Sequence, residues 1–341
     1  MMRYLKLAAK IAVGVILAGL VALAIALVAT AVRPARPVGL HVGAAADPGH
    51  PAIPVAILYP TTDTPGWTWF GQGMVQLARD GAVDGSGLPM IVISHGTGGA
   101  QASHLDTALA LVEAGYVVAV PLHPGDNFQD DSRVGSGDWI VDRARHIARV
   151  DDYVLSRWPG GGHVDGTRIG LFGYSAGGTT GLVAIGGTPD LAGVAPYCAR
   201  HREFVCALLP AMPMRVPAAS EWTHDPRIRA AVIVAPGLGF AFAPDGLAAA
   251  RRPVQLWAGA ADENAPVATN AGVVRGLLPL APEYHVVEGA AHFSFMPPCG
   301  LMRPLLPHAL CTDPDGFDRS AFRAPFNRQV VAFFNRALAR P

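Results

Sequence analysis

The chain has 341 residues, 51% hydrophobic and only 15% charged, against about 25% charged in an ordinary soluble domain. That excludes disorder and leaves ample material for a core. Lys+Arg and Asp+Glu balance at 26 each, which removes the electrostatic case for nucleic-acid binding, and 39 Gly and 30 Pro without a period exclude collagen-like and repeat architectures.

Arg3, Lys6 and Lys10 precede an uncharged apolar run from Ile11 to Val32. At about 22 residues it is long enough for a bilayer core, which needs about 20, and long for a signal-peptide core. Ala29-Thr30-Ala31 nevertheless fits a small-x-small cleavage site. The run is therefore read as a membrane anchor or a cleaved signal, with a buried core helix as the plain alternative. Three positive charges before it and two after it, Arg33 and Arg36, place the N-terminus inside. The body of the protein is then expected outside the cytoplasmic membrane, periplasmic or otherwise extracytoplasmic. Residues 1–37 form the anchor or signal with a linker, Arg33 to Pro37, and residues 38–341 form one catalytic domain.

Ile53 to Tyr59 alternates weakly and is expected to be an early strand, ended by Pro60. Trp67 to Asp80 is ambiguous. Met90 to Ser94 is an apolar strand, followed by a helical pattern from Leu105 to Ala114 with Gly115 as its C′ residue. Tyr116 to Val120 is the next strand, and Asp138 to Trp158 carries Ile140, Ile147, Val150 and Val154 at helical spacing. The strand Arg168 to Phe172 runs straight into Gly173-Tyr174-Ser175-Ala176-Gly177 and a small-residue helix to Ile185. Ala230 to Ala235, Pro253 to Ala258 and Tyr284 to Val287 are further strands, and Ser320 to Leu338 a closing helix. Strands alternating with helices predict βαβ units, hence an α/β fold with a mostly parallel sheet and helices on both faces. Residues 189–229 read as one long irregular insertion, a lid or plain surface padding.

Gly173-Tyr174-Ser175-Ala176-Gly177 matches G-x-S-x-G between a strand and a helix. The sharp turn strains the middle residue, and side chains two places either side would collide, so glycine stands at both. Ser175 is thereby the candidate nucleophile; the alternative is an ordinary glycine turn. A hydroxyl needs a base, and the chain order for such a site is Ser, acid, His. His292 in Gly289-Ala290-Ala291-His292-Phe293 follows the last strand and is the candidate base, ahead of His285 and His308. Asp262, which follows the strand Pro253 to Ala258 through Gly259-Ala260-Ala261, is the candidate acid; Glu263 is its neighbour and rival, and Asp245 and Asp126 are outside candidates. Two backbone N–H groups are expected to bind an oxyanion, one from Ala176 and one from Thr97 in Ser94-His95-Gly96-Thr97-Gly98-Gly99. His95 is expected to shape that loop rather than act as a base.

Together these residues resemble the α/β-hydrolase superfamily. More narrowly they resemble the bacterial predicted dienelactone hydrolase group, related to platelet-activating factor acetylhydrolases. Ala56-Ile57-Leu58-Tyr59-Pro60, the Ser94–Gly99 and Gly173–Gly178 stretches, Asp225-Pro226-Arg227-Ile228-Arg229-Ala230 and Gly289–Phe295 carry the likeness. It implies serine hydrolysis of small or lipid-like carboxylic esters through an acyl-enzyme, without a cofactor. Dienelactone hydrolases use cysteine where this chain has Ser175, so dienelactone is not implied as substrate. The acetylhydrolases carry their acid one strand earlier, near Ala235-Pro236-Gly237, where no carboxylate stands here; that favours Asp262. An acyltransferase using the same triad, or a non-catalytic envelope protein on the same scaffold, are the rival readings.

Four cysteines allow three pairings. Cys198 with Cys206 and Cys299 with Cys311 is the expected set, because each pair brackets one irregular loop; four reduced thiols would fit the expected compartment poorly. No Cys or His spacing resembles a metal site. Phe293, Phe295, Met296, Leu301, Met302, Met212, Met214 and Trp222 are candidates for an acyl pocket, with a core role as the alternative. His123-Pro124-Gly125-Asp126-Asn127 is given a shaping role at most. The sequence does not fix an oligomeric state.

Overall fold

The structure, a computed structural model, describes residues 2–209 and 215–340. Ten strands form one sheet: β1 (Val38–Ala45), β2 (Ile53–Pro60), β3 (Gly66–Phe70), β4 (Gly73–Arg79), β5 (Leu88–Ser94), β6 (Val117–Pro121), β7 (Val164–Tyr174), β8 (Ile228–Val234), β9 (Val254–Gly259) and β10 (Glu283–Val287). Their spatial order is β10-β9-β8-β7-β5-β6-β2-β1-β4-β3. From β10 to β6 all neighbours are parallel. β2 pairs antiparallel with both β6 and β1. The parallel strands are buried on both faces, which is why they read as unbroken Val/Ile runs.

Alternate residues of the central strands β2 and β5–β8 feed two cores. Ile91, Ile93, Phe172 and Val232 pack with the helices Leu105–Glu113 and Arg319–Ala337. Met90, Val92, Leu171 and Ile233 pack on the opposite face with the helices Trp139–Ser156, Ala176–Ala184 and Ala271–Leu277. The predicted helix stop is seen at Gly115, which has φ +92° while Tyr116 N–H donates to Leu111 O.

Two strand regions escaped the sequence reading. Val38–Ala45 was not predicted as a strand, since Gly39 and Gly43 dilute its pattern. A Cβ at Gly39 would overlap the Tyr59 ring, and one at Gly43 the Tyr153 hydroxyl. The glycines make room for two tyrosines and say nothing against a strand. The ambiguous Trp67–Asp80 stretch is the β3–β4 hairpin, turned by Gly71-Gln72 with Gly71 at φ +65°; glycine at the first central position is what such a turn needs. The N-terminal helix, Met2–Ala29, is long and apolar enough to cross a membrane. The chain is stitched to the sheet at Val32, just before the predicted linker Arg33 to Pro37: Val32 N–H donates to Met74 O, and Gln76 N–H to Val32 O.

The insertion is not wholly irregular. It carries short helices at Val194–Cys198 and Phe204–Leu208. Leu191, Val194, Val205 and Trp222 pack with Trp139 and Val183 in a third, smaller core. Both expected cysteine pairs are joined, Cys198–Cys206 and Cys299–Cys311.

One buried group opposes folding. Asp151 is fully buried, and as a carboxylate it meets no hydrogen-bond donor among the described residues; its polar neighbour is the Asp225 carboxylate, which it can bond only when protonated. Burial, then the negative charge of Asp225, pushes its carboxyl well above the usual range. A folded-state pKa raised above the unfolded value of about 3.9 means stability is lost as pH rises past that value. Asp151→Asn is therefore expected to raise Tm relative to wild type, with a larger gain near pH ~8 than near pH ~5. Equal gains at both would show that ionisation is not the cause.

Candidate active site

β7 ends at Tyr174 and the helix Ala176–Ala184 begins one residue after Ser175. Ser175 bridges them at φ +56°, ψ −120°, a region that non-glycine residues enter only when the surroundings enforce it. Here its N–H is held by Val234 O at 2.9 Å and its carbonyl by Gly178 N–H at 2.8 Å. A Cβ at Gly173 would overlap the Gly177 carbonyl, and one at Gly177 the Ser94 carbonyl. The steric reason for glycine at both places is thus explicit.

His292 follows β10 on a short turn. Its Nε2 lies 2.9 Å from Ser175 Oγ and its Nδ1 2.7 Å from Asp262 Oδ2. The carboxylate only accepts, so Nδ1 carries the proton and Nε2 faces the hydroxyl as an acceptor. Asp262 follows β9 and is itself fixed: its Oδ1 accepts the N–H groups of Asn264 (2.9 Å) and Ala265 (2.8 Å). Both His292 and Asp262 are 5% exposed, so the pair is shielded from competing water. The Tyr174 hydroxyl donates to His292 O at 3.0 Å, holding the turn.

The rival residues are elsewhere. Glu263 and Asp245 are exposed. His285 stacks on Trp257 and meets Glu283, and His308 is exposed. Thr97 sits in the turn after β5. Neither its N–H nor that of Ala176 meets a protein acceptor among the described residues. His95 is fully buried and donates from Nδ1 to Gly96 O at 2.7 Å, while its Nε2 faces His123 N–H. It shapes the loop, as its sequence position implied.

Asp126, an outside candidate for the acid, pairs instead with Arg143 at 2.6 Å in full burial. Its Oδ1 accepts Gly98 N–H at 2.8 Å, and its Oδ2 also accepts Trp139 Nε1–H at 2.6 Å. Arg143 donates to the His95 carbonyl, to Ser94 Oγ at 3.2 Å and to Thr180 Oγ1 at 3.0 Å. Thr180 Oγ1 in turn donates to Ala176 O. One guanidinium therefore ties the Thr97 loop to the Ser175 helix. The sequence reading passed over Arg143, although a signal existed: it stands on the buried stripe, three residues after Ile140 and four before Ile147.

Three buried histidines, His95, His123 and His146, adjoin this network, and a fourth, His104, is buried against Phe172 and Tyr174. Burial, then Arg143, lowers His95 to about 4; burial, then Arg323, lowers His104 to about 3; burial, then Arg145, lowers His146 to about 3; His123 is pushed well below its ordinary value by burial and then Arg143. Unfolded histidine titrates near pH ~6.5. Depressed folded values mean that this part of the stability is complete above pH ~6.5 and is lost as pH falls from there. Tm is expected to drop steadily between about pH 6.5 and pH 4; a flat Tm across that window would contradict it.

Of the acyl-pocket candidates, Met296 and Met302 line a cavity of about 470 Å³. Phe295 is core, and Trp222 is buried in the insertion. Phe293 is only partly buried and stands edge-on to the His292 ring. Met212, Met214 and the Leu301 side chain lie outside the described residues.

A mostly parallel sheet flanked by helices, with a strained serine lifted above its edge between a strand and a helix, is the α/β-hydrolase fold. The model of the Dienelactone hydrolase family matches residues 78–237, which include the Thr97 loop and the Ser175 turn. Among solved structures, a ferulic acid esterase from Streptomyces cinnamoneus superposes with a TM-score of 0.64 at 18% identity, over 91% of this chain and 96% of that one. That is a likeness of fold. No curated protein matches the sequence.

Proposed function

We propose that the protein is a serine carboxylic-ester hydrolase. The observation that carries this reading is the continuous hydrogen-bonded line from Ser175 Oγ through the His292 ring to Asp262. Ser175 Oγ attacks the ester carbonyl while His292 Nε2 takes its proton, and Asp262 stabilises the imidazolium. The oxyanion is received by Thr97 and Ala176 N–H, aided by the positive end of the helix behind Ser175. His292 returns the proton to the departing alcohol, leaving an acyl-enzyme. Water, deprotonated by the same ring, attacks the acyl carbon, and the carboxylic acid departs as Ser175 regains its proton. Every proton lost by one group is taken up by another, and only the chain's own groups and water take part.

The membrane-length helix and two disulfides support an extracytoplasmic, anchored or secreted enzyme. The 189–229 insertion is read as a cover for the site, since its core includes Ala176, the residue after the nucleophile.

The full chain is expected to release p-nitrophenol from p-nitrophenyl acetate and to yield free acid even with a competing acceptor alcohol present. Ester formation with the alcohol in place of acid would make it an acyltransferase. No turnover with short esters of any alcohol would overturn the reading.

A further inference from the structure

The cavity of about 470 Å³ is not a generic cleft. One wall is the last turn of the membrane-length helix, through Leu27 and Thr30. The second is the β3–β4 hairpin, through Trp69 and Met74. The third is the chain just beyond His292, through Met296 and Met302. Ala102 and Ser103, a few residues past the Thr97 loop, also line it. The two carboxylates in its wall are already engaged: Asp106 pairs with Arg323 at 2.8 Å, and Glu113 accepts Ala35 N–H at 2.9 Å. The rest of the lining is mostly apolar, with Arg33, Gln72, Ser103 and Thr30 as polar members.

The depth of this cavity follows from the helix. If Ile11 to Val32 spans the hydrocarbon, Leu27 to Arg33 lie at its outer boundary. The hairpin is bonded to Val32 itself, so it must rest at the same level. Its Trp67 and Trp69 are 46% and 52% exposed, two residues apart on one face of the strand. The Arg33 guanidinium lies 5.4 Å from the Trp67 ring centre. Exposed tryptophans beside an arginine are the pattern of a membrane–water interface.

The geometry points to an acyl-chain port: the hairpin docks in the outer leaflet, and the cavity takes one hydrocarbon chain of a membrane-resident ester, guiding it toward Ser175. The substrate class is then a long-chain ester drawn from the bilayer. This rests on the esterase reading above, and the test separates the two.

The full chain is reconstituted in phosphatidylcholine vesicles whose chains are brominated near the headgroup. The other four tryptophans, Trp139, Trp158, Trp222 and Trp257, are buried. Bromine is therefore expected to quench part of the tryptophan emission in the wild type and to lose that effect in the Trp67→Phe/Trp69→Phe double variant. An unquenched wild type, or quenching unchanged in the double variant, overturns the docking. The second arm fills the cavity. Gly73 lines it, has open space where a Cβ would stand and is not in the left-handed region. Gly73→Phe is expected to lower the ratio of p-nitrophenyl palmitate to acetate turnover by about tenfold or more, the worth of two methylenes' burial. Retained acetate turnover shows that the variant is folded; if it is lost, the smaller Gly73→Leu replaces it. An unchanged ratio overturns the port. Absent acetate turnover in the wild type instead sinks the esterase reading, while the quenching still decides the docking.

Discussion

Replacing Ser175 with alanine is expected to lower kcat for p-nitrophenyl acetate by a factor on the order of 10⁴ to 10⁶, as loss of a nucleophile from a working triad does. Tm should shift by no more than a few degrees. The serine's visible side-chain bond is the one to His292 Nε2, and its strained backbone is held by main-chain partners that alanine keeps. The loss should fall on kcat rather than KM, because the hydroxyl acts on the reacting carbon and not on the rest of the substrate. A variant with wild-type kcat would remove Ser175 from the chemistry; one that fails to fold would show that the turn depends on the hydroxyl itself. Circular dichroism melting beside the kinetics distinguishes these.

Arg143→Met is the second large expected effect, on stability first and rate second. Arg143 and Asp126 are each 1% exposed at their side chains, so removing the guanidinium strands a carboxylate in the interior. Breaking such a pair costs about 3–5 kcal/mol, a Tm loss on the order of 10 °C. The rate should fall as well, by about 10²-fold, because the loop that carries Thr97 N–H is no longer tied through the His95 carbonyl and Ser94 Oγ to the nucleophile helix. Arg143→Met/Asp126→Leu, which removes both charges, should recover much of the stability. It should not recover kcat, since Gly98 N–H has then lost its acceptor. Recovery of both would make the pair a purely structural feature.

The Ser175 turn was legible in the sequence because its sterics are specific: a strand-to-helix serine flanked by backbone crossings needs glycines at both 173 and 177. The placing of Asp262 and His292 after their strands was legible for a related reason, since a parallel sheet presents its carboxyl-end loops on one edge. Arg143 was less visible. A charged residue on an apolar helical stripe is ordinarily solvated, and only the folded chain brings Asp126 beside it across 17 residues. Strand β1 was hidden because its glycines serve tyrosines distant in sequence, Tyr59 and Tyr153. The β3–β4 hairpin was hidden because its two exposed tryptophans break the expectation of polar residues on an outer face. That same departure is one of the observations on which the docking proposal rests.

The central claim, that Ser175 is activated by the His292–Asp262 pair, is tested most directly by a fluorophosphonate probe followed by peptide mass mapping of the full chain. One adduct per molecule on Ser175 is predicted, formed far more slowly in His292→Ala and not at all in Ser175→Ala. An unmodified Ser175 in the wild type, or labelling that persists on another residue when Ser175 is replaced, would contradict it.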